Sequence, residues 1–169
     1  STLHSTAFST ELAQLGNVLL VGEPDEDRVD VYRRSSLSSP WVRDEVNTLQ
    51  TPGTVQDWHT FGSSIAISAD LVVIGGNDAA TWTGGHVWRY VRNPDGSFSS
   101  PLEILHKPAH RIGNDIAIQP TDLNTYVAIG VPGTTVPVGA EGEVHMVLLD
   151  ATDGSNLSDW ILTDPAWDG

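Results

Sequence analysis

The chain has 169 residues, 39% of them hydrophobic, a content typical of a domain that folds around a core. Acidic residues outnumber basic ones by 22 to 8, and the net charge of −14 argues against nucleic acid as a partner. No cysteine is present, which excludes disulfides and thiolate metal sites. No apolar run approaches the roughly 18 residues of a membrane span, so membrane insertion is not expected.

The first part of the chain contains a unit that returns twice. Residues 8–22 carry two apolar segments separated by a Gly-Asn turn, and they end at Gly22. A short loop follows, then an alternating strand over residues 28–32 and a turn over residues 34–38. Trp41 opens a last strand, so this unit predicts four strands in succession.

The second copy aligns with the first without a gap. Residues 61–75 match residues 8–22, and Gly75 stands 53 residues after Gly22. The alternating strand returns at residues 86–90, and the Asp-Gly turn within residues 93–97 is a strong hairpin signal. The two copies therefore predict the same strand order.

The third copy begins at residues 112–118 and has a longer turn before residues 126–130, which end at Gly130. Its alternating strand covers residues 143–147, and its hairpin covers residues 150–154. Tryptophans recur as well: Trp160 matches Trp41, and Trp167 matches Trp58, which stands three residues before Phe61.

This repeat predicts an all-β fold built from β-propeller blades, as three four-stranded antiparallel units in one segment over residues 1–169. The approximate blades are residues 8–60, 61–111 and 112–169, and a period near 53 residues suits a blade. A β-sandwich is the competing all-β interpretation, but it does not require a recurring pattern. Because closed propellers have four to eight blades, we expect a larger propeller or closure by association of copies.

The repeat resembles the FG-GAP repeat of integrin α-subunit-type propellers. Phe61-Gly62 matches the Phe-Gly element, which is Phe8-Ser9 and Ile112-Gly113 in the other copies. The Gly-Ala-Pro element resembles the segments that begin at Gly22, Gly75 and Gly130. The resemblance covers nearly the whole chain and implies an extracellular or cell-surface module for adhesion, assembly or binding of protein or glycan, without catalytic activity.

The alternative function is an accessory or catalytic propeller of a secreted enzyme that processes glycans or lipids. We expect recognition to reside in the variable loops over residues 23–28, 76–86 and 131–143, since loops on a rigid scaffold commonly carry binding. The candidate contacts in these loops are Trp82, Asp78 and Glu141. Asn156 begins the acceptor sequence Asn-Leu-Ser and is a candidate glycosylation site.

The resemblance also raises the question of calcium, since the family often binds Ca²⁺ in an Asp-rich loop. Residues 25–30 lack the glycine of that loop, and residues 150–155 form a hairpin tip, so we expect no cofactor and no high-affinity calcium site. Any weak site is expected at residues 23–27. His106 and His110 have a helical zinc-ligand spacing, but Pro108 between them forbids the helix, and His86 is interpreted as a surface or packing residue.

Overall fold

The computed structural model describes residues 11–51, 60–77, 84–108, 112–113, 115–132 and 142–162. Throughout these ranges the chain is built from β-strands, and its one helical segment is the 3₁₀ turn Pro24–Glu26. None of the described segments is a helix with the length and apolar character that a membrane crossing demands.

The first sheet is an antiparallel meander in which each strand pairs with the next. Its fourth position is divided, because two short strands pair with opposite ends of β3. The strands are β1 (Leu12–Leu15), β2 (Val18–Glu23), β3 (Arg28–Arg33), β4 (Val42–Arg43) and β5 (Leu49–Gln50).

The second and third sheets repeat this order with four undivided strands each. The second sheet contains β6 (Ser64–Ile67), β7 (Leu71–Asn77), β8 (Gly84–Val91) and β9 (Leu102–Pro108). The third contains β10 (Ile116–Pro120), β11 (Asn124–Val131), β12 (Glu143–Asp150) and β13 (Asn156–Leu162). The predicted all-β class and the three four-stranded antiparallel units are confirmed. Within the described residues the sheets do not close into a barrel.

Side chains alternate between the two faces of each sheet, and this alternation builds the two cores. We call the face toward the next sheet in the chain the forward face and the opposite one the backward face. The first core joins the forward face of the first sheet, with Leu20 and Val29, to the backward face of the second, with Ile65, Ile74 and Trp88. Phe61 fills this core and meets Trp88 edge to face at 5.4 Å.

The second core is built in the same way one sheet later. Val73 and Val87, which alternate with Ile74 and Trp88 along the same strands, form the forward face of the second sheet. They pack against the backward face of the third sheet, on which Val127, Ile129 and Val147 lie. The second sheet is therefore apolar on both faces and covered on both, as expected for an interior layer.

Glycines set the closest approach between neighbouring sheets. Gly22 in β2 lies against Gly62 at the start of the second sheet, and a Cβ on Gly22 would overlap the carbonyl oxygen of Gly62. Gly75 in β7 lies against Gly113 in the same way, where a Cβ would lie 2.5 Å from the carbonyl oxygen of Gly113. In both cases the obstruction is backbone, which cannot rotate away.

We expect Gly75→Ala to lower the free energy of unfolding by about 1–3 kcal/mol, because the added methyl group forces the second and third sheets apart. The matched control is Gly130→Ala, at the equivalent position of β11. A Cβ there would have the carbonyl oxygen of Asp115 as its nearest neighbour, at 3.5 Å. Its effect should stay within about 0.5 kcal/mol. Urea unfolding measures both, and equal losses would contradict this account of sheet packing.

Candidate functional site

The second and third strands of each sheet are antiparallel neighbours, and recognition was predicted in the loops that connect them. The connection in the first sheet is described in full. Asp27 adopts a left-handed conformation with φ of 49° and accepts hydrogen bonds on its backbone oxygen from Thr51. Its carboxylate accepts one from the backbone N–H of Phe61 at 3.4 Å, which ties the loop to the second sheet.

The predicted contact residues Trp82, Asp78 and Glu141 lie outside the described residues. Asn156 is exposed at the first residue of β13, where its side chain is accessible. Modification of Asn156 stays a prediction.

Arginines pair with Glu26, inside the segment 23–27 where any weak calcium site was expected, and with Asp30, three residues beyond that segment. Asp30 accepts hydrogen bonds from Arg28 at 3.1 Å and from Arg43 at 2.7 Å, and Arg28 also pairs with Glu26. Paired carboxylates of this kind are already neutralised by cationic partners and are less able to collect around an ion. The expectation about calcium stays a prediction.

The second acidic stretch, residues 150–155, is a hairpin tip closed by its own side chains. Asp150 accepts a hydrogen bond from the backbone N–H of Thr152 at 2.7 Å, and Asp153 accepts one from that of Ser155 at 2.7 Å. Such bonds are the usual way in which aspartate stabilises a turn. Arg89 of the second sheet donates to the carbonyl oxygen of Gly154 at 3.0 Å and holds the tip against β8.

On the forward face of the third sheet, which we call the open face, four large apolar side chains are exposed: Tyr126 (37%), Val144 (39%), Trp160 (37%) and Leu162 (52%). Tyr126 and Trp160 contact each other edge to face at 6.3 Å. The strand register places Ala128, Gly130, Met146 and Leu148 beside them, together with Gln119 and Ser158 on the outer strands. An apolar patch of this kind on a sheet face is characteristic of an interaction surface.

An ionic triad joins the second and third sheets. The Lys107 ammonium donates to the Glu143 carboxylate at 2.5 Å, and Nε2 of His145 lies 2.9 Å from the same oxygen. These hydrogen bonds, first that of Lys107 and then that of His145, hold the pKa of Glu143 below its ordinary value. The ring of His145 is buried, and its Nδ1 has no partner among the described residues.

A second cluster, formed by His86, Glu103 and His106, lies on the backward face of the second sheet. His86 and His106 are directly opposite each other on β8 and β9. The register of β9 shifts at Ile104, so that Glu103 pairs with Trp88 while Leu105 pairs with Val87. This bulge brings Glu103 to the face on which His106 lies, and Nδ1 of His86 comes within 2.5 Å of its carboxylate.

A cleft of about 230 Å³ lies where the divided edge of the first sheet meets the second sheet. Tyr90 is its titratable lining residue, and its hydroxyl donates to the carbonyl oxygen of Gln50 at 2.9 Å. Burial raises the pKa of Tyr90. Among the lining residues that the structure describes, this cleft shows no pair of proton-exchanging groups of the kind that general acid and base catalysis requires.

No protein-family model, no curated protein and no solved structure matches the chain. The functional argument therefore rests on the repeat, on the surfaces of the three sheets and on the side-chain clusters described above.

We expect Glu143→Gln to reduce stability at pH 7 by up to about 1 kcal/mol, the size typical of a partly exposed ion pair. Because folding lowers the pKa of Glu143, its contribution is present above the ordinary value of about 4.3 and disappears as the pH falls through the folded value. Urea unfolding should show that the difference in unfolding free energy between the variant and the wild type is smaller at pH 3 than at pH 7. Glu45→Gln, at an exposed position, is the control, and a loss that persists at pH 3 would contradict the assignment.

Proposed function

We propose that this chain is a set of three propeller blades of the FG-GAP, integrin α-like kind, and that it acts as an extracellular or cell-surface module for binding or assembly. The single observation that carries this proposal is the regular stacking of three equivalent sheets, held at the same position by Gly22 and Gly75.

The open face supports the proposal that further blades complete the array. Gly130 occupies the position at which Gly22 and Gly75 receive the next sheet, and a Cβ on Gly130 would have no neighbour closer than 3.5 Å. Tyr126 and Trp160 stand beside it on an apolar surface that the next sheet would bury. The occupant that fits is a further repeat with an apolar backward face, like those of the second and third sheets.

The backward face of the first sheet is a poor occupant for the open face, which argues against closure by head-to-tail association of identical copies. Its third strand presents Arg28 and Asp30 there, and Asp30 also pairs with Arg43. Asp30 is already buried, but the side chains of Arg28 and Arg43 are 27% and 37% exposed. Pressing these guanidinium groups against Trp160 and Val144 would remove their water without offering a new partner. A continuing blade array is therefore favoured over a pair of three-blade copies.

A binding module is favoured over a glycan- or lipid-processing enzyme by the kind of surface present. Among the residues that the structure describes, the cleft beside Tyr90 is lined by no acid–base pair of the kind that an enzyme site needs. The partner we propose is a protein or a glycan, in agreement with the acidic charge of −14, which disfavours nucleic acid.

The binding role is tested by exchanging the loops over residues 24–27, 78–83 and 132–142 for short Gly/Ser segments. We expect the wild-type chain to bind members of a glycan array or a panel of immobilised cell-surface proteins, and the exchanged chain to lose that binding while its strand content by circular dichroism is retained. Unchanged binding after all three exchanges would show that the loops do not carry recognition.

The blade-array part of the proposal is tested by attaching a second copy of residues 61–111 directly after Gly169, which keeps the spacing of Trp167 equal to that of Trp58. The added copy should cover the open face and raise the unfolding midpoint by roughly 5 °C or more, because several large side chains become buried. The fluorescence of Trp160 should shift to shorter wavelength.

The control for this experiment is the same extended chain with Gly130→Ala. That substitution is expected to be tolerated in the 169-residue chain but to block the close approach of an added sheet, so the gain in stability should be lost. An extension that adds no stability, or a gain that Gly130→Ala leaves intact, would contradict the proposed docking of a further blade.

A further inference from the structure

We propose that His86, Glu103 and His106 form a binding site for a divalent transition metal, and that Zn²⁺ is the ion their chemistry fits best. This inference does not depend on the function proposed above. It rests on three side chains that the chain separates by up to 20 positions and that the paired strands β8 and β9 bring together.

The distances in the cluster are close to those of a metal site. The potential ligand atoms of the three side chains lie within 4.8 Å of one another. Ligands about 2.1 Å from a tetrahedral Zn²⁺ are about 3.4 Å apart, so modest side-chain rotations suffice to reach that geometry. His106 and Glu103 are exposed, and because each contacts His86, rotation toward a shared ion would replace those contacts with bonds to the metal.

The ligand types select the class of metal. Two imidazole nitrogens and one carboxylate oxygen are ligands that Zn²⁺ accepts, and such a set leaves a fourth position open to water. Ca²⁺ and Mg²⁺ prefer shells made of oxygen alone and gain little from imidazole. The cluster should therefore discriminate strongly between these two classes of cation.

Neighbouring groups hold the ligands in place before a metal arrives. The ring of His86 lies between two parallel neighbours, Trp88 at 5.2 Å and His106 at 4.2 Å between ring centroids. The Glu103 carboxylate sits 2.5 Å from Nδ1 of His86. A bound metal would replace this hydrogen bond, and because metal ligands bind in their deprotonated forms, the metal affinity should fall as the pH falls.

The bulge in β9 is what makes the cluster possible. In a regular strand, residues 103 and 106 would lie on opposite faces, because side chains alternate. The extra residue at Ile104 keeps both Ile104 and Leu105 in the core between the second and third sheets and turns Glu103 toward His106. Strands joined in a four-stranded sheet offer a more rigid support for ligands than a loop does.

The test is calorimetric titration of the chain with zinc chloride at pH 7.5, compared with the single variants His86→Asn, His106→Asn and Glu103→Gln. We expect one tight site in the wild type and affinity reduced at least about tenfold in each variant, since even outer-shell partners contribute that much. Nitrogen-15 spectra of the imidazoles should show that zinc shifts His86 and His106. At pH 5.5 the affinity should fall, and millimolar magnesium should not compete.

Glu45→Gln, which removes an exposed carboxylate elsewhere, is the matched control for Glu103→Gln and should leave zinc affinity unchanged. Thermal melts without metal establish that each variant folds, since all three substitutions lie at the sheet surface. Zinc binding that is equally strong in the wild type and in the two histidine variants would overturn the proposal, because it would show only general attraction to an acidic chain. Imidazole shifts confined to histidines other than His86 and His106 would overturn it as well.

Discussion

The close approach of backbone to backbone at the glycine pairs is the constraint on which the rest of this structure depends. Gly22 faces Gly62 and Gly75 faces Gly113, and in each pair the second glycine has a positive φ, 92° and 70°. Each pair thus requires glycine for two reasons: a side chain would not fit into the contact, and the second residue of the pair has a backbone conformation that other residues rarely adopt. Because the contact recurs at one position of each repeat, it sets the same orientation for every sheet and hence determines which residues face the two cores.

The repeat in the sequence was sufficient to predict the three sheets, because strand order follows from apolar segments and turns that return with a constant spacing. It was not sufficient for the edge of the first sheet. There the fourth strand is divided into β4 and β5, and Asp44 between them is held by Arg33 at 2.6 Å. That ion pair joins β3 to the connection between β4 and β5, and neither the spacing nor the hydropathy of the segment indicates it.

The histidine cluster shows more sharply where sequence analysis fails. Spacing along the chain paired His106 with His110, whereas the sheet pairs His106 with His86, because antiparallel register and not sequence distance decides which residues are neighbours. Alternation alone would also have separated Glu103 from His106. A single-residue bulge reverses that relation, and bulges leave no reliable trace in the hydrophobic pattern.

The stack is linear in its energetics, since the main contacts between sheets, over the residues that the structure describes, join each sheet to the sheet before or after it in the chain. The second sheet packs against a neighbouring sheet on both of its faces, whereas the third sheet has exposed apolar side chains on its open face. In arrays of this type the free energy of local opening depends on the number of neighbouring interfaces. Amide hydrogens of β11 and β12 should therefore exchange with solvent sooner than those of β7 and β8, although both strand pairs are joined by antiparallel hydrogen bonds. A further sheet packed on the open face would remove that difference.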